Sequence, residues 1–369
     1  MGCTAALLGG CGGGGGTTQV APRALAKQGN LAAGHGVAVT SVAADAMVSA
    51  AAIPAGKMVL GYYSGYSNNY GSLTSYYSYV NAVAIDFWNI TSAGAVVGNG
   101  DPTPTDAITF LKQKGIAIYG CISNVSNDGW DPVISHAVTS TNRAQAISNL
   151  VAFAKTNGFA GINIDFEAVD QADRKNLSDF STALSSALHA QGLKLIMTVP
   201  AFSTVDESDP YNLPFDLAAL GKSADYLQVM TYDEAIPDWD PGAVAGSDWM
   251  ENALDYAVSK APAGKVLNGI PAYGYDWIKA GNGAQLFWRD MPALLSKYGV
   301  TPTYDSNVNA ITFNYTKSGK KHTVWNENAK SVKLKTALVN AYGLAGTSFY
   351  AFGMEDGNFW SAVSAGLNQ

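Results

Sequence analysis

Two carboxylates, Asp165 and Glu167, stand two residues apart in the stretch GFAGINIDFEAVD, residues 158–170. Acids are disfavoured in strands and seldom buried without a partner, yet the run around this pair is Ile, Asn and Phe. In extended backbone, side chains at i and i+2 share a face and lie roughly 6.5 Å apart. Two acids so placed can share a proton or a hydrogen bond. Like charge and partial burial raise the pKa of one of them, which keeps a carboxylic acid protonated near neutral pH as a general acid. The competing reading is structural, with both acids bonded to backbone amides or to Arg or Lys. What decides between them is where in the fold the pair stands.

From Lys57 onward, short apolar strands alternate with helical patterns, the rhythm of β/α units around a parallel sheet. The expected strands are residues 58–63, 82–88, 116–122, 161–167, 194–199, 226–232, 266–273 and 346–352. Between them, Ile147, Leu150, Val151 and Ala154 recur at helical spacing, as do Leu177, Phe180, Leu184 and Leu188, with Gly192 as a stop. Eight strands with intervening helices predict an α/β fold, a (β/α)8 barrel, whose usual size is about 250 residues plus insertions. Residues 276–328 are surplus: a short helix, MPALLSKYG, precedes β-like runs that turn at Ser318-Gly319. They predict a small α+β insertion after the seventh strand, forming one wall of a cleft. On the fourth strand, Ile162, Ile164 and Phe166 face the helices while Asn163, Asp165 and Glu167 face the barrel interior. Glu167 comes last, at the carboxyl end, where barrel enzymes place their active sites. The chemical reading therefore outweighs the structural one.

Composition narrows the chemistry further. The chain has 369 residues, 47% hydrophobic and 14% charged, with net charge −7 and no basic block. That suits a globular body and argues against nucleic acid or an anionic membrane as the main partner. The three cysteines, Cys3, Cys11 and Cys121, leave no disulfide framework in the body, and the four scattered histidines offer no metal-ligand spacing. No nucleophile elbow or phosphate-cradling loop is present, so neither a metal nor a cofactor is expected. Tyrosines number 19 against 13 phenylalanines, which suits rings that keep a polar tip at a wet cleft.

The segment AGINIDFE, residues 160–167, resembles the D-G-x-D-x-D-x-E motif on the fourth strand of glycoside hydrolase family 18, the chitinases and related N-acetylglucosaminidases. It matches at Gly161, Asp165 and Glu167 and departs at Ala160 and Asn163. VMTYDE (229–234), GIPAYGYDW (269–277) and the run from His322 to Asp356 extend the resemblance, in order, over about residues 57 to 365. It is most like the spore-cortex-lytic, spore-germination (YaaH-type) branch, where Asn stands at the position of Asn163. The resemblance implies retaining, substrate-assisted hydrolysis of β-1,4 bonds in N-acetylglucosamine-containing glycans, with peptidoglycan favoured over chitin. It implies that Glu167 protonates the glycosidic oxygen and that the substrate's own 2-acetamido carbonyl is the nucleophile. Asp165 would then hold the acetamido N–H, Tyr232 donate to its carbonyl, and Asp233 touch the sugar or the acid.

Gln228, Met230 and Tyr232 share a face of the sixth strand and are expected to line the same pocket. Asn163 is expected to orient Asp165. Tyr62, Trp88, Tyr273 and Tyr350 end their strands and are expected as sugar platforms, whereas Trp325 and Trp360 are assigned to packing. A barrel that binds carbohydrate without cutting it is the alternative reading. At the amino terminus, Leu8-Gly9-Gly10-Cys11 resembles a lipobox, although no Lys or Arg precedes it. Residues 1–16 are therefore expected to be a lipoprotein-signal-like segment with Cys11 lipidated, 17–56 a linker and 57–369 the barrel. The expected product is an exported, monomeric protein of the bacterial cell envelope.

Overall fold

A computed structural model describes residues 52–127, 129–203 and 211–369. The expected signal segment, Cys11 and most of the linker lie outside them. Eight parallel strands form the centre: β1 (Met58–Tyr63), β2 (Ala82–Ile90), β3 (Ala117–Ser123), β4 (Gly161–Asp165), β5 (Lys194–Pro200), β6 (Tyr226–Met230), β7 (Val266–Pro271) and β8 (Gly346–Tyr350). Each pairs with the next, and β1 pairs with both β2 and β8, so the sheet closes into a (β/α)8 barrel. Closure satisfies the backbone of every barrel strand and leaves no edge.

The helices form because their apolar residues recur on one stripe. In the helix Arg174–His189, Leu177, Phe180, Leu184 and Leu188 are all fully buried. In the helix Arg143–Asn157, Leu150 and Ala154 are fully buried. Gly192 does not end the former helix itself; it takes φ +71° in the turn that returns to β5. Gly161 answers a different need. A Cβ there would lie 2.0 Å from the carbonyl oxygen of Lys194, so only glycine lets β4 and β5 approach.

Four barrel strands end earlier than their sequence pattern predicts. β4 stops at Asp165 rather than Glu167, β6 at Met230 rather than Tyr232, β7 at Pro271 rather than Tyr273, and β8 at Tyr350 rather than Phe352. In each case a side chain or a turn takes over from the ladder. Past β6, Thr231 Oγ1 lies 2.8 Å from Asn268 Oδ1 and 2.7 Å from the Gly269 carbonyl, which binds the bend to β7.

After β7 the chain enters a five-stranded antiparallel sheet with one helix, Met291–Tyr298. Its first strands, Tyr273–Lys279 and Asn282–Phe287, precede the β-like runs that the sequence pattern predicts. The hairpin between Ala310–Lys317 and Lys320–Asn326 turns at Ser318 and Gly319, both at positive φ, as a tight two-residue turn requires. Met291, Ile311, Phe313, Tyr315 and Val324 give this sheet a core of its own. Where it rejoins the barrel, Lys335 Nζ donates to both oxygens of Glu327 at 2.6 Å, and both side chains are buried.

Candidate active site

Glu167 lies just beyond the last paired residue of β4, at the carboxyl end of the barrel. Ser123 and Asp165 are the last partners in the β3–β4 ladder. One step further, the side chain of Asn124 takes the place of the next strand pair. Its Oδ1 accepts from the Glu167 amide at 2.9 Å, and its Nδ2 donates to the Glu167 carbonyl at 2.8 Å. The backbone of Glu167 is thus held as firmly as within a strand, yet its side chain is free of the pleat. The carboxylate meets a phenol: Tyr211 Oη donates to Glu167 Oε2 at 3.1 Å.

Beneath the pair, a buried polar layer crosses the barrel. Tyr62 Oη lies 2.9 Å from Asn163 Oδ1, 3.2 Å from Thr198 Oγ1 and 3.3 Å from Gln228 Oε1. Asn163 Nδ2 donates to Thr198 Oγ1 at 2.9 Å, and Gln228 Nε2 to Ser348 Oγ at 3.0 Å. An amide suits position 163 because it supplies both an acceptor for Tyr62 and a donor for Thr198, which a carboxylate could not. Asn163 and Gln228 are fully buried and Tyr62 nearly so, which corrects the expectation that Tyr62 is a sugar platform and Gln228 part of the pocket lining. They support the floor of the site. Met230, half-buried, follows Gln228 on the same face towards the mouth.

Tyr232 and Asp233 leave β6 in a bend, with Asp233 at φ +66°. Gln228 Nε2 reaches Tyr232 Oη at 3.5 Å, so the buried polar layer extends to the bend after the strand. Burial, and then the Asp165 charge, hold the Tyr232 phenol well above the usual tyrosine range. Burial, and then Glu167, do the same for Tyr211. Both therefore stay protonated and act as donors. Asp233 Oδ1 accepts from Tyr275 Oη at 2.7 Å and from Tyr273 Oη at 2.8 Å. Burial pushes its carboxyl up to about 6, against the pull of those two hydroxyls.

The rings sort into two groups. Tyr350 meets Tyr62, Tyr66, Tyr232 and Tyr273 at centroid distances of 5.7, 6.0, 6.2 and 6.4 Å. It stays half-buried within this cluster. Tyr273 is 2% exposed and serves as a strut for Asp233 rather than as a sugar platform. Trp88 is the clear correction. A register shift between Ile85 and Trp88 turns its side chain to the outer face of β2. There it packs 4.9 Å from Phe153 and 5.7 Å from Phe159, under the helix Arg143–Asn157. Trp360 packs as expected, 4.4 Å from Phe349.

Sequence reasoning missed Asn124, Tyr211, Tyr275, Thr198, Ser348, Tyr66 and Phe287. Tyr275 carried a signal, since it stands two residues after Tyr273 in a quoted motif and shares its face. Tyr211, on an irregular loop, carried none.

Residues 58–355 match the model of the Glycosyl hydrolases family 18, and the chain belongs to that family. The uncharacterized glycosylase YvbX of Bacillus subtilis (strain 168) is 38% identical over 316 residues, covering 84% of this chain and 91% of its own. A cortical fragment-lytic enzyme of Bacillus anthracis is 28% identical over 269 residues, covering 70% of this chain and 62% of its own length. Among solved structures, a chitinase from Chromobacterium violaceum ATCC 12472 superposes with a TM-score of 0.84 at 60% identity. That match covers 85% of this chain and 99% of the chitinase chain.

Proposed function

We propose that this glycoside hydrolase cuts β-1,4 bonds of N-acetylglucosamine-containing glycans with retention, using the substrate's 2-acetamido group as nucleophile. The observation that carries the reading is Glu167 at the barrel mouth, pinned at backbone and carboxylate, with Asp165 at the end of the same strand and the donor Tyr232 just past β6. Glu167 gives its proton to the glycosidic oxygen. Tyr232 holds the acetamido carbonyl, and Asp165 steadies the N–H and the positive charge that develops. Asp233, bound by two phenols, braces the far side of the pocket.

Chitin-type oligomers are the better-supported substrate, because the 60% match runs over 99% of a chitinase chain. Peptidoglycan, favoured by Asn163 in the sequence, is the second reading, supported by the cortical fragment-lytic relative. Asn163 itself gives it little weight, being fully buried in the layer below the site.

Incubating the protein with chitin oligomers and with sacculi in parallel, followed by mass spectrometry, tests the assignment. Product from the oligomers with the β anomer formed first is expected, and Glu167→Gln should slow its release by about 10³-fold. Oligomer binding without product would replace this reading with that of a non-catalytic binding barrel.

A further inference from the structure

We propose that Tyr211 decides which oxygen of Glu167 carries the catalytic proton and how firmly the carboxyl holds it. This rests on the reading of Glu167 as the proton donor. Tyr211 reaches the acid from the chain that leads out of β5, not from β4. Its segment is anchored: Arg174 Nη1 donates to the Leu213 carbonyl at 2.5 Å, and Arg174 Nη2 pairs with Asp216 Oδ2 at 3.0 Å. Phe215 N also donates to the Asn212 carbonyl at 3.1 Å, closing the turn that follows Tyr211. The contact at 3.1 Å to Glu167 Oε2 is therefore built into the fold.

A phenol that stays protonated donates to Oε2 and occupies that oxygen. The proton of the neutral acid is then left on Oε1. In the reaction it passes from Oε1 to the glycosidic oxygen as the C1–O bond breaks and its electron pair goes to that oxygen. The acetamido carbonyl oxygen supplies the pair that forms the new bond to C1. Glu167 is left as a carboxylate, and the bond from Tyr211 becomes charge-assisted. Such bonds are about twice as strong as neutral ones. Tyr211 thus stabilises the transition state more than the ground state.

Among the described residues, the titratable groups around Glu167 are Asp165 from β4, Tyr232 and Asp233 from the bend after β6, and Tyr211. Asp165 and Asp233 oppose its ionisation when charged. Tyr211 donates to its carboxylate from an element other than β4 or β6.

Tyr211→Phe removes one hydroxyl and leaves the ring in place. Without that donor the carboxylate is less favoured, so the acid stays protonated to higher pH. The alkaline limb of the kcat/KM profile on N-acetylglucosamine oligomers should move up by about one pH unit, and kcat should fall about tenfold. A limb that does not move, with only KM raised, would overturn the proposal. A second measurement needs no substrate: carbon-13 carboxyl NMR titration of Glu167 in both proteins, assigned with Glu167→Gln. An unchanged midpoint there also overturns it. Failure of the wild type to cleave any N-acetylglucosamine glycan would instead refute the hydrolase reading, while the NMR titration still decides the role of Tyr211.

Discussion

Both phenols that reach Asp233 end on the same oxygen, Oδ1. Burial nevertheless keeps its carboxyl at about 6, above the usual value of 3.8. Between about pH 4 and 6 the folded protein therefore binds a proton that the unfolded chain has already released. Stability falls as pH rises through that window and levels off above it, by up to about 3 kcal/mol. Asp233→Asn should abolish this slope in urea denaturation followed across that range, and an equal slope in both proteins would refute the account. At this scale the sequence exposed the acids and hid their partners. Asp165, Glu167, Tyr232 and Asp233 were legible because they sit at fixed offsets on or just past strands. Asn124, Tyr211 and Thr198 were not, because their roles come from contacts between elements distant in sequence. Trp88 was misplaced because alternation assumes an unbroken pleat, and one extra residue in β2 reverses it.

Elements were easier to read than their ends. All eight barrel strands follow from short apolar runs bounded by turns, and the helical stripes follow from their spacing. The ends depend on the local competitors of the ladder, such as Asn124 beside Glu167 and Thr231 after β6. A second tie between elements sets the aromatic side of the cleft. Arg289, just past the strand Asn282–Phe287, donates from Nη1 to the Ser67 carbonyl at 3.1 Å and from Nη2 to Ser67 Oγ at 3.0 Å. Its backbone amide donates to the Met354 carbonyl at 2.9 Å, and its guanidinium lies 5.4 Å from the Phe287 ring. Tyr66, next to Ser67, stands edge-on to both Phe287 and Tyr350. Arg289→Ala should loosen this corner and raise KM for N-acetylglucosamine oligomers about fivefold, the effect of roughly 1 kcal/mol. The kcat should change less than twofold. A loss confined to kcat would show that the tie serves the chemistry rather than the grip.

Across the whole molecule, the junction of sheet and barrel rests on the buried pair of Lys335 and Glu327. The Lys335 carbonyl also accepts from Asn268 Nδ2 at 3.0 Å, which joins the helix Ala329–Ala341 to β7. Lys335→Met leaves Glu327 as an uncompensated buried charge and should cost about 3–5 kcal/mol. Adding Glu327→Leu should restore most of that in urea denaturation. If the double variant is no more stable than the single one, the pair contributes more than mutual neutralisation.

The fate of Asp233 also ties the history of the wall to that of the catalytic barrel. One of its two donors, Tyr275, lies within the sheet of the insertion, and the other, Tyr273, stands at its root. A lineage that exchanged this wall for one of another length would have to find new donors for a buried acid at the same time. Innovation is therefore channelled away from the root and towards the edge strand Thr303–Asp305, where residues can change without disturbing the carboxyl.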